Sequence, residues 1–439
     1  MSIFKAYDIR GIVGDELTEE LAHDIGRGFA TLLKPKTVVI ARDMRPHSPG
    51  LARALADGLV KQGVRVIDIG MASTPMCYFA NGRLGADGSV MITASHNPGE
   101  YNGFKLCRAD AVPISGATGI KELERIVKEQ AFDPVPDHPG SVETKDIAAE
   151  YVAHIQRFAD IQRPLKLCID YANAMGIAEA AVFEGRFEHD DLFKEYDGSF
   201  PNHEANPLDE STFEALSAKV REGDYDFGIA FDGDADRVGF VDEHGEIVSM
   251  DMITALIARA LLQQEKGVVF YDLRSSKAVK ELIEANGGDA RMCRVGHAFI
   301  KAQMREANAV FAGELSGHYY FRENYFTESS GLAVLLIANL VSATGKMLSE
   351  LVAPIRKYVA SGEINSRVKD PAKVFERIRA EFPEADTFEL DGLSVEVGDW
   401  WFNVRMSNTE PLCRLNLEAP DRATMEEKRD QVLDIIRSC

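Results

Sequence analysis

The sequence predicts an α/β protein: three related α/β domains with mixed sheets, followed by a smaller α+β C-terminal domain. Short apolar strand-like runs at Thr37 to Ala41, Leu165 to Ile169 and Gly267 to Tyr271 each lead into a polar turn and then a helical pattern. In addition, an apolar strand delivers a small polar loop three times. Ser89 to Ile92 runs into 93–98, Phe227 to Phe231 into 232–237, and Ala309 to Ala312 into 313–318. Ligands of open α/β sheets gather beyond the carboxyl ends of strands, so the three loops are expected to face one cleft. The last segment alternates strand and helix patterns differently, which sets it apart.

Taken in order, the chain opens with a helix over Leu17 to Leu33, where Leu21, Ile25, Phe29, Leu32 and Leu33 fall at helical spacing. The first buried strand follows. The Pro-rich stretch Asp133 to Gly140 reads as a linker, Asp242 to Gly245 as a turn near the second junction, and Ala360 to Gly362 as the third. These breakers predict domains at 1–140, 141–245, 246–360 and 361–439.

Composition narrows the function classes. The 439 residues are 45% apolar and 27% charged, the balance of a globular protein with ample core. A formal charge of −21 argues against general affinity for nucleic acid or acidic membranes. The six cysteines include no CxxC pair and read as reduced thiols. MSIFKAYDIRG lacks the apolar core of a signal peptide, and the apolar run Gly331 to Ala343 contains Asn339 and is too short to span a bilayer. A soluble cytoplasmic protein is expected, with a monomer and a homodimer both open.

The stretch Phe227 to Phe240, FGIAFDGDADRVGF, is the most informative. Asp232, Asp234 and Asp236 offer three hard oxygen donors at two-residue spacing, suited to a small divalent cation such as Mg²⁺. Arg237 adds a guanidinium beside them, a pairing suited to phosphoryl transfer. The competing EF-hand reading places Glu243 at its twelfth position, but its sixth position demands Gly and here is Arg237.

Ser95, in Thr93-Ala94-Ser95-His96-Asn97-Pro98, suits a nucleophile or phosphate carrier and equally a capping or turn residue. Lys105 reads either as a surface lysine or as a cation near a transferring group. Glu314 and Ser316 can bond sugar hydroxyls, while His297 and His318 can bind phosphate or move a proton. In Arg405-Met406-Ser407-Asn408-Thr409-Glu410, a guanidinium with neutral hydrogen-bonding neighbours suits a phosphate dianion, or a plain strand-end turn.

Together these segments closely resemble the α-D-phosphohexomutase family, in its bacterial phosphomannomutase/phosphoglucomutase branch. The similarity covers 6–11 (AYDIRG), Thr93 to Pro98, Asp232 to Arg237, Gly313 to His318 and Arg405 to Pro411, in order along nearly the whole chain. The resemblance implies four domains around a central cleft. It makes Ser95 a phosphoserine, with Asp232, Asp234 and Asp236 binding Mg²⁺ together with the phosphate on Ser95. It gives Glu314 and Ser316 the sugar hydroxyls, and Arg405, Ser407, Asn408 and Thr409 the phosphate not being transferred. Tyr7, Arg10, Lys105, Arg237, His297 and His318 would line the cleft, with Lys105 and His318 as candidates for proton transfer.

The implied activity is interconversion of mannose 1-phosphate and mannose 6-phosphate, and of the glucose phosphates, through a 1,6-bisphosphate. Glucose or mannose 1,6-bisphosphate would act as activator. Alternatives are a phosphoglucosamine mutase, whose relatives open with a GTDGIRG-like segment and carry SGTEP where this chain has AYDIRG and SNTEP, and a metal-dependent sugar phosphatase. Arg274 stands where related sequences often carry lysine, which puts a sugar contact there in doubt.

Overall fold

The computed structural model describes residues 2–406 and 412–439, and its strands form four sheets. The first three share one plan. In each, a central strand has parallel neighbours on both sides, and one of those neighbours pairs antiparallel with the strand that follows it in sequence. The parallel triplets are Gly88–Ile92, Thr37–Arg42 and Arg65–Met71; Phe227–Phe231, Lys166–Asp170 and Glu188–Leu192; and Phe311–Gly313, Val268–Asp272 and Asp289–Cys293.

The antiparallel partners are Tyr101–Arg108, Val238–Val241 and Tyr319–Phe321, in registers that pair Ile92 with Phe104, Phe231 with Val238, and Gly313 with Tyr319. All three polar loops of the sequence are therefore strand-to-strand connections at equivalent sheet positions. The fourth sheet is antiparallel throughout and is flanked by helices Pro371–Glu381 and Arg422–Arg437. The expected class, three related α/β units and an α+β tail, is the one found.

Sheet membership runs past each sequence-based junction by a few residues. Strand Ser141–Thr144 joins the edge of the first sheet beside Arg65–Asp68, beyond the Pro-rich stretch. The turn at Asp242 to Gly245 is a hairpin within the second sheet, leading to Ile247–Val248. Val359–Ala360 already pairs with Leu412–Ala419 of the fourth. Edge strands of two to four residues carry too little periodicity to register as strands in the sequence.

One apolar cluster runs without interruption from helix Thr74–Leu84 through the second and third sheets, and a second fills the first sheet's other face. Helix Ser330–Thr344 lies inside the larger cluster and is buried on nearly every face. That explains its all-round apolar sequence. Among the described residues, no helix is long and apolar enough to cross a membrane.

Candidate active site

Strand Gly88–Ile92 delivers Ser95 in the left-handed backbone region, at φ +52°. Such a conformation costs a non-glycine residue about 1–3 kcal/mol unless its surroundings impose it. The fully buried Arg45 imposes it. Its guanidinium donates to the carbonyls of Ser95 (2.9 Å), Asn97 (2.6 Å), Pro98 (2.6 Å) and Tyr101 (3.1 Å). Asp43 accepts the remaining Nε–H at 3.1 Å. Arg10 donates to Asn97 Oδ1 of the same loop at 2.5 Å.

Strand Phe227–Phe231 delivers the second loop directly against the first. A Cβ on Gly233 would lie 2.2 Å from the Ser95 carbonyl oxygen, so only glycine permits the approach. The Ser95 hydroxyl consequently donates to Asp232 Oδ2 at 3.1 Å. Asp232, Asp234 and Asp236 are all buried, each with a carboxylate oxygen within 4.8 Å of the others'. Two helix starts grip this loop. Thr74 donates through N–H to the Asp234 carbonyl (3.0 Å) and through its hydroxyl to Asp234 Oδ2 (2.6 Å). Ser330 donates to the Ala235 carbonyl at 2.6 Å.

The charges of this loop are tightly balanced. Lys105 Nζ donates to Asp234 Oδ2 at 2.6 Å and to Asp236 Oδ2 at 2.5 Å. Burial alone would strip its proton, but Asp234, Asp236 and Asp232 outweigh burial and raise its pKa. Burial, with Asp236 and Asp234 close by, pushes Asp232 well above the usual carboxylate range. Asp236 is held well below it despite burial, chiefly by Lys105 and His318. Asp234 Oδ1 is buried without a hydrogen-bond partner. An orphaned oxygen and a carboxyl that burial and two neighbouring aspartates keep from ionising, despite Arg237 and Lys105 nearby, both fit a bound cation, and the all-oxygen donors fit a hard one.

The third loop is tied to the second by a backbone bridge between Arg237 and His318. His318 Nε2 lies 3.3 Å from Asp236 Oδ1, and its Nδ1 lies 2.8 Å from Ser316 Oγ and 3.3 Å from Glu314 Oε2. Burial disfavours the imidazolium and Asp236 favours it; with Glu314 adding support, the His318 pKa rises to about 9. Glu314 accepts from the Gly296 N–H at 3.1 Å and from the Tyr320 hydroxyl at 2.5 Å. Burial would raise its pKa, but His318, Tyr320 and Arg274 bring it down to about 2. Arg237 Nε–H is directed at His318 Nε2 at 3.2 Å, which sets the guanidinium directly beside the imidazole at the edge of the site. His297 differs. Burial first, then Lys301 and Lys105, pull its pKa well down, and its ring stands edge-on to Tyr7 with centroids 5.6 Å apart.

Arg405 reaches this side of the molecule from the end of strand Trp400–Met406. It bonds Glu363 and stands 3.9 Å from Asp391. Arg414 (3.6 Å) and Arg274 (4.0 Å) face the same Glu363, and Arg405, Asp391, Arg294 and Glu314 all act electrostatically on Tyr7. Ser407, Asn408 and Thr409 lie outside the described residues. The structure thus gathers Ser95, Lys105, Arg237 and His318 around the Asp loop, with Arg10 on the serine loop. Tyr7 and His297 stand side by side, and Arg405 joins a guanidinium cluster. Sequence reasoning missed Arg45, Thr74, Ser330, Glu363 and Arg414. Arg45 alone left a trace, as the polar segment following an apolar strand.

Domain I of the phosphoglucomutase/phosphomannomutase family matches residues 1–134, domain II matches 149–245, domain III matches 249–358, and the C-terminal domain matches 363–435. The chain belongs to the phosphoglucomutase/phosphomannomutase family. A phosphomannomutase of Escherichia coli is 39% identical, covering 100% of this chain and 99% of its own length. Proteins named phosphohexose mutases in Xanthomonas campestris reach 41%, covering 99% of this chain and 99% of their own length. The crystal structure of a phosphoglucomutase/phosphomannomutase family protein from Burkholderia thailandensis superposes with a TM-score of 0.92 at 33% identity, over 99% of this chain and 97% of that one. Within the family's four-domain plan, the three loops described above come from domains I, II and III and Arg405 from domain IV.

Proposed function

We propose that this phosphohexomutase interconverts mannose 1-phosphate and mannose 6-phosphate, accepting the glucose phosphates as well, with Ser95 as the phosphate carrier. The observation that carries this reading is the seating of Ser95 Oγ 3.1 Å from Asp232, in a strained loop pinned by Arg45. A capping or turn serine would need neither. In the forward step, the bond between phosphorus and Ser95 Oγ breaks as a sugar hydroxyl oxygen bonds to the same phosphorus. The hydroxyl proton is lost, and Ser95 Oγ gains one. The resulting 1,6-bisphosphate turns over within the cleft, and the reverse transfer from its other end regenerates phospho-Ser95.

Roles follow from position. Asp232, Asp234 and Asp236 would hold Mg²⁺, with the phosphate on Ser95 completing its ligands; when bound, the ion supplies charge stabilisation to the transferring phosphoryl group. Lys105, committed to two aspartates, balances charge, and Arg237 faces the anion. His318, linked to both Asp236 and the sugar-facing Glu314, moves the proton. Arg405, with Ser407, Asn408 and Thr409, grips the far phosphate, displacing the carboxylates that now occupy its donors. A trace of glucose or mannose 1,6-bisphosphate would prime an unphosphorylated enzyme. Six unpaired cysteines accord with a reducing, cytoplasmic setting.

³¹P NMR tests this directly, with Mg²⁺, a trace of glucose 1,6-bisphosphate, and mannose 1-phosphate or glucose 1-phosphate in parallel. The matching 6-phosphate should appear from both, and Ser95→Ala should abolish it. Release of inorganic phosphate alone would show a phosphatase. Conversion of neither sugar would refute the proposal and bring glucosamine phosphate forward.

A further inference from the structure

Glu179 lies wholly buried on helix Gly176–Phe183 of the second domain and touches no part of the catalytic loops. Its carboxylate nevertheless accepts from two hydroxyls. The Tyr151 hydroxyl lies 2.9 Å from Oε2 and 3.1 Å from Oε1, and the Ser73 hydroxyl donates to Oε1 at 2.5 Å. Oε2 also packs against the first turn of helix Ser330–Thr344, where a Cβ on Gly331 would come within 2.7 Å of it. A carboxylate at that end of a 15-residue helix is favoured by the positive end of the helix dipole.

Three domains meet at this one side chain: Ser73 from the first, Tyr151 and Glu179 from the second, Gly331 from the third. The chain neighbours of the outer two contacts are the residues that grip the Asp loop. Ser73 is followed by Thr74, which bonds Asp234 twice, and Gly331 is preceded by Ser330, which bonds Ala235. A shift of either helix start is therefore transmitted to Asp234 or Ala235 through a single peptide unit.

We infer that Glu179 is a positioning residue, a strut that fixes the two helix starts relative to each other and so sets how tightly the Asp232–Asp236 loop holds its cation. The inference rests on the reading of that loop as a metal site. Burial, opposed by the bonds from Ser73 and Tyr151, raises the Glu179 pKa to about 7, a cost that a carboxylate without a role would not be expected to carry.

The test is Mn²⁺ binding to the full-length chain, followed by electron paramagnetic resonance of the free ion, for wild type, Glu179→Gln and Tyr151→Phe. Wild type should bind Mn²⁺; failure to do so overturns the metal-loop reading and this inference with it. Glu179→Gln should weaken binding by about tenfold, the lower end for an outer-shell ligand support, and Tyr151→Phe by less. A core variant remote from the site, Val374→Ala in the fourth domain, should lose thermal stability and keep wild-type Mn²⁺ affinity. Folded Glu179→Gln with wild-type affinity overturns the inference. If that variant does not fold, unchanged affinity in Tyr151→Phe overturns it instead.

Discussion

Gly233 shows how much of the site depends on a missing side chain. Its Cα presses on the Ser95 carbonyl, and a methyl group there would sit 2.2 Å from that oxygen, backbone against backbone, with no flexible group to yield. Gly233→Ala should push the serine and aspartate loops apart by about 1 Å, a displacement that typically costs about 100-fold in turnover. Steady-state kinetics should show kcat falling while far-UV circular dichroism stays unchanged. This residue was legible only in part. The sequence placed Gly233 between Asp232 and Asp234, where glycine suggests a tight loop, but the partner it makes room for lies 138 positions earlier in the chain, at Ser95, and no local pattern records that contact.

At the level of the element, the three polar loops are one device used three times: a strand, a short loop, and an antiparallel return. The sequence announced it because each delivering strand is short, apolar and followed at once by polar residues, so the signal is local. Equally local are the three aspartates, neighbours in the chain before they are neighbours in space. What holds the loops was not legible, since the holders come from elsewhere. Arg45 is the clearest case. It belongs to the segment after strand Thr37–Arg42, yet it organises carbonyls from Ser95 to Tyr101, 50 to 56 residues on. Arg45→Lys keeps the charge but lacks the fork that serves four carbonyls and Asp43 at once. It should lower kcat by about 100-fold and leave Mn²⁺ affinity near wild type, because the Asp loop is held separately by Thr74 and Ser330. A parallel fall in both would show that the serine loop does not move independently of the metal loop.

In the whole molecule, the fourth sheet is joined to the third domain by a narrow polar seam. Glu418 accepts from the Lys277 N–H at 2.9 Å and Glu363 meets Arg274 across the boundary, while within the fourth sheet the Trp401 indole donates to Glu418 at 2.8 Å. A cavity of about 710 Å³, lined by Arg274, Leu315, Trp401 and Glu418 among others, opens beside it. Polar contacts beside a void resist rotation less than the continuous apolar cluster shared by the first three domains, so any closure around the cleft is expected from the fourth domain. The four-domain division was legible, while the seam's chemistry was not, because Glu418 and Lys277 are 141 residues apart.

The chain has two tryptophans, and both, Trp400 and Trp401, stand on one strand of the fourth domain. Trp400 is stacked inside that domain against Phe402, whereas the Trp401 indole bonds the seam itself. If the fourth domain closes, Trp401 should report it. Titration with mannose 1-phosphate should shift the intrinsic emission, Trp401→Phe should silence the shift and Trp400→Phe should preserve it. In a stopped-flow instrument the same glow would time the domain's swing in every turnover, with no dye attached.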